Sequence, residues 1–247
     1  MSTDTPVAIV TGAGSGIGAA ISRRLAADGY HMVLSDLDDS RLAPVAASIP
    51  GSVVHLGDLS RAGTGDALVA VAVQAWGRLD VLVNNAGGGV ILPTLQHTEE
   101  TLQATIDRNL WTTIRCTLAA IPVMQAAGYG RVVNIGADSV KSGVPAHAMY
   151  NAAKGGVHAM VGGLAREFAR DGITFNVVAP CMVLTDEVQV MWDEKPAFMQ
   201  PFLDVIPVGR PAKMEEVASA VAYLASAEAA FITGQVIGVN GGSNFLG

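Results

Sequence analysis

Short apolar runs, many of them rich in β-branched residues, alternate with longer segments of helical spacing along this chain of 247 residues. Because such runs have no polar face, the strands they form must be covered on both sides. Alternation of strand and helix is typical of a parallel sheet with helices on both faces. We therefore predict an α/β fold with a doubly wound parallel sheet, whose strands lie at residues 7–10, 32–34, 52–56, 81–83, 131–135, 174–178 and 235–239.

No repeat, low-complexity linker or break in composition divides the chain, so we expect one domain over residues 1–247. Long helices are predicted at 98–127, with a kink at Pro122, and at 147–171. The stretch 181–212 contains four prolines and no clear element. Long segments of this kind are often lids or binding loops, so we expect it to form the substrate-binding loop region.

Charge and cysteine content exclude several functions. The 22 acidic residues outnumber the 15 basic residues, and the net charge is −7. Such a surface repels phosphate groups, so we expect no nucleic-acid and no membrane partner. No apolar stretch reaches the roughly 20 residues of a membrane span, and residues 1–6 do not resemble a secretory leader. Two distant cysteines, Cys116 and Cys181, are interpreted as reduced thiols, which favours a cytoplasmic protein.

A glycine-rich segment follows the first predicted strand and opens the first predicted helix. Its glycines stand at positions 12, 14, 16 and 18. Glycine lets the backbone approach a pyrophosphate, and a helix N-terminus offers free N–H groups to that anion. The spacing departs from the usual G-x-G-x-x-G, but the strand–loop–helix context is the one that dinucleotide binding requires. We interpret this segment as a cofactor site.

Asp36 ends the second predicted strand, 18 residues after Gly18. A carboxylate there can accept hydrogen bonds from both hydroxyls of an adenosine ribose, and it repels a 2′-phosphate. No basic residue follows closely before Arg41. The pattern predicts NAD(H) rather than NADP(H) as the cofactor.

Tyr150 and Lys154 lie four residues apart on a predicted helix and therefore share one face. A free tyrosine titrates near pH 10 and is a poor base at neutral pH. A neighbouring ammonium favours the phenolate and lowers that pKa. Such a pair can move a proton to or from the oxygen of an alcohol or a ketone.

Five motifs, in this order and spacing, resemble the classical short-chain dehydrogenase/reductase family over essentially the whole chain. They are the glycine segment, Asn84-Asn85-Ala86-Gly87, Asn109, Tyr150-x-x-x-Lys154 and Asn240-Gly241-Gly242. The resemblance implies a single-domain, Rossmann-like sheet of seven strands and assembly as a homotetramer. Residues 134–138 and 163–169 also resemble dehydrogenases that act on cyclic hydroxyacyl-CoA thioesters.

The resemblance also implies roles at the matching positions. Tyr150 would be the catalytic acid/base, Lys154 would bind the nicotinamide ribose and lower the pKa of Tyr150, and Asn109 would hold a water in the proton relay. Cys181 replaces the glycine that the family usually has in the segment that contacts the nicotinamide carboxamide. The implied cofactor-binding residues are Gly12, Ser15, Gly16, Ile17, Gly18, Asp36, Asp58, Leu59, Asn85, Ala86, Gly87, Tyr150, Lys154, Val183 and Thr185.

One position departs from the family pattern. The family's catalytic serine lies 13 residues before the tyrosine, and this chain has Ala137 there. Loss of such a hydrogen-bond donor can lower a rate by about 10²–10³. Ser139 could supply the hydroxyl after a rearrangement of the loop. Otherwise the substrate brings its own polarising group, or the activity is weak or lost.

The remaining candidates concern the substrate. The histidines are scattered, so we expect no metal site. His147 lies one helical turn before Tyr150 and either faces the pocket or is a polar residue at a helix start. The apolar side chains of the 181–212 stretch either form a lid over an apolar substrate or pack against a neighbouring subunit; they are Met191, Trp192, Phe198, Met199 and Phe202.

Together these patterns predict an NAD(H)-dependent oxidoreductase that interconverts a secondary alcohol and a ketone. The substrate would be a small apolar molecule, either a cyclic alcohol or ketone or an acyl thioester. One alternative is a 3-oxoacyl thioester reductase, although such enzymes commonly use NADPH and have a basic residue in the glycine segment. Another is a non-catalytic NAD-binding protein, which Ala137 favours and which the retained Asn109, Tyr150 and Lys154 disfavour.

Overall fold

A computed structural model of the protein describes residues 5–244. Its centre is one parallel sheet of seven strands in the order β3-β2-β1-β4-β5-β6-β7. This arrangement confirms the predicted α/β class. The strands are β1 (Val7–Thr11), β2 (His31–Asp36), β3 (Val53–Leu56), β4 (Val81–Asn84), β5 (Gly130–Ile135), β6 (Ile173–Pro180) and β7 (Val236–Val239).

Helices connect the strands and cover both faces of the sheet. Two separate clusters of buried apolar side chains form the core, one between the sheet and each helical layer. The helices are α1 (Gly16–Ala27), α2 (Asp39–Ala47), α3 (Thr64–Trp76), α4 (Glu99–Ile106), α5 (Thr112–Ala127), α6 (Ser139–Ser142), α7 (Ala148–Phe168), α8 (Asp186–Glu194), α9 (Pro196–Asp204) and α10 (Met214–Ala225).

The strand order reverses between β1 and β4, which lie side by side although they are distant in sequence. The chain runs outward from β1 to β3 and then returns to the other side of β1. In open α/β sheets, ligands bind at the carboxyl ends of the strands at such a reversal. The glycine segment after β1 and the Asn84–Gly87 turn after β4 both lie there.

The predicted continuous helix over 98–127 is interrupted. Helix α4 ends at Ile106, a π-helical turn spans Asp107–Trp111, and α5 begins at Thr112. The break therefore lies around Asn109, whereas Pro122 is inside α5. The Asn109 side chain donates to the carbonyl of Thr105 one turn earlier (3.0 Å), a contact that helical periodicity does not reveal.

The 181–212 stretch also differs from the prediction, because it contains two helices. Thr185 caps α8, since its side chain accepts a hydrogen bond from the Val188 N–H (3.3 Å). Pro196 begins α9. At the first position of a helix the backbone N–H has no partner within the helix, so a proline is tolerated there. Each helix is only nine residues long, too short to show a clear periodic pattern, and the two helices pack against each other.

No helix in residues 5–244 is long and apolar enough to cross a membrane.

Candidate active site

A cavity of about 510 Å³ opens at the point where the strand order reverses. The glycine segment forms one wall, and α1 begins within it at Gly16, so the first N–H groups of the helix face the cavity. Arg41 and Gly88 line this cavity together with thirteen of the residues predicted for the cofactor or the proton relay: Gly12, Ser15, Gly16, Ile17, Asp36, Asp58, Leu59, Asn85, Ala86, Gly87, Tyr150, Lys154 and Thr185.

The Asn85 side chain joins the two loops that form this cavity. Its amide nitrogen donates to the carbonyls of Thr11 and Gly12, each at 3.0 Å. In return, the Thr11 hydroxyl oxygen accepts from the N–H groups of Asn85 and Ala86. A Cβ at Gly18 would overlap the Gly12 carbonyl oxygen, so glycine is required where α1 crosses the end of β1. Gly18 thus shapes the loop and is not itself a lining residue.

Asp36 lies at the end of β2 and faces the glycine segment. One carboxylate oxygen accepts from the Gly14 N–H (2.8 Å), and the other accepts from the Leu37 N–H (2.7 Å). The first oxygen has a further lone pair for a hydroxyl, whereas the second also accepts from the Asp38 N–H (3.2 Å). Arg41 borders the same place, because a Cβ at Gly14 would lie 2.9 Å from the Asp36 carboxylate and 3.0 Å from the Arg41 side chain.

Asn109, Lys154 and Gly87 meet at the inner end of the cavity. A Cβ at Gly87 would lie 2.8 Å from Asn109 Oδ1 and 3.3 Å from Lys154 Nζ. Asn109 is fully buried. Its two amide protons go to the carbonyls of Gly88 (2.9 Å) and Thr105, and its oxygen accepts from the Gly88 N–H (3.2 Å). Asn109 therefore fixes the Gly88 backbone, and its water-holding role remains a prediction.

Burial controls the titration of the Tyr150 and Lys154 pair. It lowers the pKa of Lys154 to about 8 and raises the pKa of Tyr150 to about 12, because desolvation disfavours each charged form. The expected lowering of the Tyr150 pKa by Lys154 is therefore not seen, since desolvation is the dominant effect. Lys154 Nζ donates to the Ile135 carbonyl (2.8 Å), which holds the ammonium at the end of β5.

A second cavity of about 450 Å³ adjoins the first, and Tyr150 and Gly136 line both. Four of the five predicted lid residues line it, namely Met191, Phe198, Met199 and Phe202, and Trp192 does not. The walls are mostly apolar, and α8 and α9 form one side. Tyr150 therefore stands at the junction of a nucleotide-sized cavity and an apolar cavity suited to a small substrate.

Ala137 also lines the second cavity, and nothing at this position replaces the missing hydroxyl. The Ser139 carbonyl accepts from Asn151 Nδ2 (2.8 Å), so Asn151 Oδ1 must face the Ser139 hydroxyl (2.6 Å). An amide oxygen can only accept, and the single Ser139 proton is therefore donated to Asn151. In this loop conformation the Ser139 hydroxyl is therefore occupied, and its use as the catalytic donor would require the rearrangement of the loop.

His158 supports the same loop from α7. Burial and the Lys154 charge lower the pKa of His158 to about 4, so the ring is neutral near pH 7. Its Nε2 accepts from the Ala137 N–H (3.2 Å). Sequence reasoning did not identify His158 as a site residue. It lies four residues after Lys154 and eight after Tyr150, a spacing that keeps all three on one face of the helix.

The first cavity fits a nicotinamide dinucleotide. The N-terminus of α1 suits a pyrophosphate, Asp36 suits a ribose diol, and Gly87 keeps space open beside Lys154 where a side chain would fill it. No group of three His, Cys, Asp or Glu side chains within residues 5–244 could hold a metal ion.

A family model described as enoyl-(acyl carrier protein) reductase matches residues 12–244. The chain belongs to the short-chain dehydrogenase/reductase family. As a member of this family it is an oxidoreductase that acts on CH–OH groups and interconverts a secondary alcohol and a ketone.

Individual relatives agree with this assignment. A 2,3-dihydroxy-2,3-dihydro-p-cumate dehydrogenase of Pseudomonas putida is 52% identical over 97% of this chain and 95% of its own length. A 3-oxoacyl-[acyl-carrier-protein] reductase of Synechocystis sp. is 36% identical, with 96% of each chain covered. The crystal structure of levodione reductase superposes with a TM-score of 0.89 at 28% identity, again over 96% of each chain.

Most residues expected from the family resemblance lie at the two cavities, but Gly18 and Asn109 line neither one, and neither does Val183. Its side chain is buried in the core, and its backbone bridges to Ala212. Gly88 and Arg41 line the first cavity, although neither was predicted as a site residue. Gly88 could have been suspected from the run of three glycines that follows Ala86, whereas the position of Arg41 depends on the turn between β2 and α2.

Proposed function

We propose that the protein is an NAD(H)-dependent dehydrogenase that oxidises a vicinal dihydrodiol of a six-membered carbocycle to a hydroxyketone. The observation that carries the proposal is the position of Tyr150 between the nucleotide cavity and the apolar cavity. The 52% identical relative, named as a dihydrodiol dehydrogenase, supports the substrate class. A ring with two adjacent hydroxyls fits a cavity that is apolar apart from a few polar groups near Tyr150.

The chain's residues would orient the alcohol and handle its proton. The bound cofactor supplies the acceptor for the hydride that leaves the alcohol carbon. Tyr150 would take the hydroxyl proton during oxidation as a phenolate, after its own proton has left, and the phenol would return a proton during reduction. With a pKa of about 8, Lys154 is mostly protonated at pH 7, and its ammonium would stabilise the phenolate as it forms.

The preference for NAD(H) is supported by Asp36. Its carboxylate borders the place where a 2′-phosphate would lie, and the repulsion favours the unphosphorylated ribose. Asp36→Ala should weaken NADH binding and shift the ratio of the NADPH to NADH dissociation constants by about tenfold or more toward NADPH. Fluorescence titration measures both constants, and Asp38→Ala, which removes a neighbouring carboxylate, is the matched control. Unchanged discrimination in Asp36→Ala would contradict the ribose assignment.

A panel of alcohols tests the proposed function. Purified protein is mixed with NAD⁺ or NADP⁺ and with cis-dihydrodiols, both neutral and carboxylated, next to simple secondary alcohols. We expect the highest kcat/KM with a dihydrodiol and NAD⁺, and a loss of about 10² or more in Tyr150→Phe. A preference for simple alcohols over every dihydrodiol would overturn the substrate class.

A 3-oxoacyl thioester reductase is the second candidate, because the Synechocystis relative carries that name and Arg41 borders the ribose site. Rapid reduction of an acetoacetyl thioester with NADPH, together with no oxidation of dihydrodiols, would favour it.

The two cysteines are free, which supports a reducing compartment, and we propose the cytoplasm.

A further inference from the structure

The polar groups in the wall of the apolar cavity are nearly all engaged with other parts of the protein. The hydroxyls of Ser139, Ser142 and Ser243 donate to Asn151 Oδ1, the Asp138 carbonyl and Asp138 Oδ2 at 2.6, 3.3 and 2.6 Å. The other Asp138 oxygen accepts from Asn240 (2.7 Å). The wall has two further hydrogen-bonding side chains that offer an atom to a substrate, Tyr150 and His147.

The His147 tautomer follows from its contacts. Its Nδ1 lies 2.8 Å from the Pro145 carbonyl oxygen, which can only accept, so Nδ1 carries a proton. In the neutral ring, Nε2 is then a hydrogen-bond acceptor, and within residues 5–244 no hydrogen-bond partner of Nε2 is found.

The ring is also held in place. It packs edge-on against Tyr150, with 6.0 Å between ring centroids, and it contacts Phe202 of α9 at 6.2 Å. The preceding residue, Ala146, has a φ of +62°, a left-handed conformation that is costly for a residue with a Cβ. Such strain persists where the surrounding structure requires it and is frequent at functional sites.

We propose that His147 Nε2 accepts a hydrogen bond from the second hydroxyl of the substrate, on the carbon next to the one that Tyr150 serves. His147 thereby selects vicinal diols over simple alcohols. This inference rests on the proposed dihydrodiol activity and adds the residue that recognises the hydroxyl that does not react. A substrate without that hydroxyl would leave a polar nitrogen unpaired in an apolar cavity, which lowers its binding in the transition state.

Two amide substitutions distinguish the roles of the two ring nitrogens of His147. Asparagine places its amide near the position of Nδ1, so His147→Asn keeps a donor for the Pro145 carbonyl and loses the acceptor. Glutamine reaches the position of Nε2, so His147→Gln keeps an acceptor toward the cavity. The substrates are cis-cyclohex-3-ene-1,2-diol and cyclohex-2-en-1-ol, which differ by one hydroxyl.

We expect His147→Asn to lower kcat/KM for the diol by about 10- to 100-fold and for the mono-alcohol by less than about threefold. His147→Gln should retain most of the preference for the diol. Ser142→Ala, which also changes the cavity wall but removes an engaged hydroxyl, should affect both substrates equally. NADH binding by fluorescence and the melting temperature show whether each variant is folded.

The outcomes distinguish the inference from the proposed function. If the wild type prefers the diol and His147→Asn lowers both substrates equally, His147 does not read the second hydroxyl, and the inference is wrong while the dihydrodiol activity stands. If the wild type itself oxidises no vicinal diol better than its mono-alcohol, the proposed function fails, and this inference falls with it.

Discussion

Single side chains at this site are governed by the balance between burial and hydrogen bonding. Tyr150 and Lys154 are both desolvated, and their pKa values move in opposite directions, toward the neutral form of each. Ala137 removes a hydroxyl from the cavity wall, while His158 holds the backbone N–H of the same residue. The chemistry of the wall is therefore set by neighbours that are distant in sequence.

Restoring the hydroxyl at position 137 should increase turnover. Ala137 lines the substrate cavity beside Tyr150, so Ala137→Ser adds a donor where the family has one. We expect kcat to rise, by up to about 10²-fold if the missing donor limits the rate. Steady-state kinetics with the best substrate of the panel measures the effect. Ser139→Ala is the control. If kcat falls by a larger factor in Ser139→Ala than it rises in Ala137→Ser, Ser139 is the hydrogen-bond donor in catalysis.

The Lys154 charge should make stability depend on pH. Its pKa is about 8 in the folded protein and 10.5 as the ordinary value, so burial of the charge destabilises the fold below pH 8 by about 3 kcal/mol. Between pH 8 and 10.5 the unfolded chain holds the proton more firmly, and this penalty disappears as the pH rises. The difference in the free energy of unfolding between Lys154→Met and the wild type should therefore shrink across that window.

Urea unfolding at pH 7, 8, 9 and 10 measures this difference, because the contributions of the other groups cancel between the two proteins. A difference that stays constant with pH would show that Lys154 is not desolvated in the way its position suggests.

At the scale of elements, the site depends on the irregular turn that separates α4 from α5. The π-helical turn at Asp107–Trp111 turns Asn109 toward the Gly87–Gly88 backbone, next to the Lys154 ammonium. Such turns are rare in proteins, but those that occur often lie at functional sites. An uninterrupted helix would place the Asn109 side chain differently relative to β4, and the loop after β4 would lose its support.

A methyl group at Gly87 should disturb this arrangement more than it disturbs the fold. Its Cβ would lie 2.8 Å from Asn109 Oδ1, and Asn109 cannot move cheaply because it is buried and makes three hydrogen bonds. We expect Gly87→Ala to lower kcat/KM by about 10-fold or more, with a change of only a few degrees in the melting temperature. A variant with full activity would show that the Asn109 contact is not needed.

For the whole molecule, exposed apolar side chains at the start of α5 bear on the expected assembly. Trp111 lies directly before α5, and Leu118 lies within it, seven residues later. Trp111 is 40% exposed and Leu118 is 60% exposed. Seven residues are two helical turns, so both lie near one face. We propose a homotetramer in which this face is covered by a second copy of the chain.

Light scattering should then give a mass near four times 25.4 kDa, which is about 102 kDa. Leu118→Asp should lower the mass by placing a charge in the interface. A wild-type mass near 25 kDa would exclude the assembly, and an unchanged mass in Leu118→Asp would place the interface elsewhere. Glu100→Gln, a change on exposed α4, is the control and should leave the mass unaltered.

The α/β class, the parallel sheet and the glycine-rich loop after β1 could be predicted from the sequence alone, because they depend on local patterns. Apolar runs, helical spacing and the glycines next to β1 are visible in short windows, and the spacing of Tyr150 and Lys154 follows from helical geometry. The family resemblance adds Asn109 and Asp58 as predicted site residues. Val183 shows the limit of such transfer, since its side chain is buried away from both cavities.

Which polar groups remain available to a substrate depends on contacts that the folded chain makes. Nothing in the sequence shows that the Ser139 hydroxyl is engaged, yet it donates a hydrogen bond to Asn151 Oδ1. The break in the long helix falls at Asn109 rather than at Pro122. The Asn109 side chain donates a hydrogen bond to the Gly88 carbonyl, in the loop that follows β4. Hydrogen bonds and desolvation depend on contacts between distant parts of the chain, and no local pattern of residues records them.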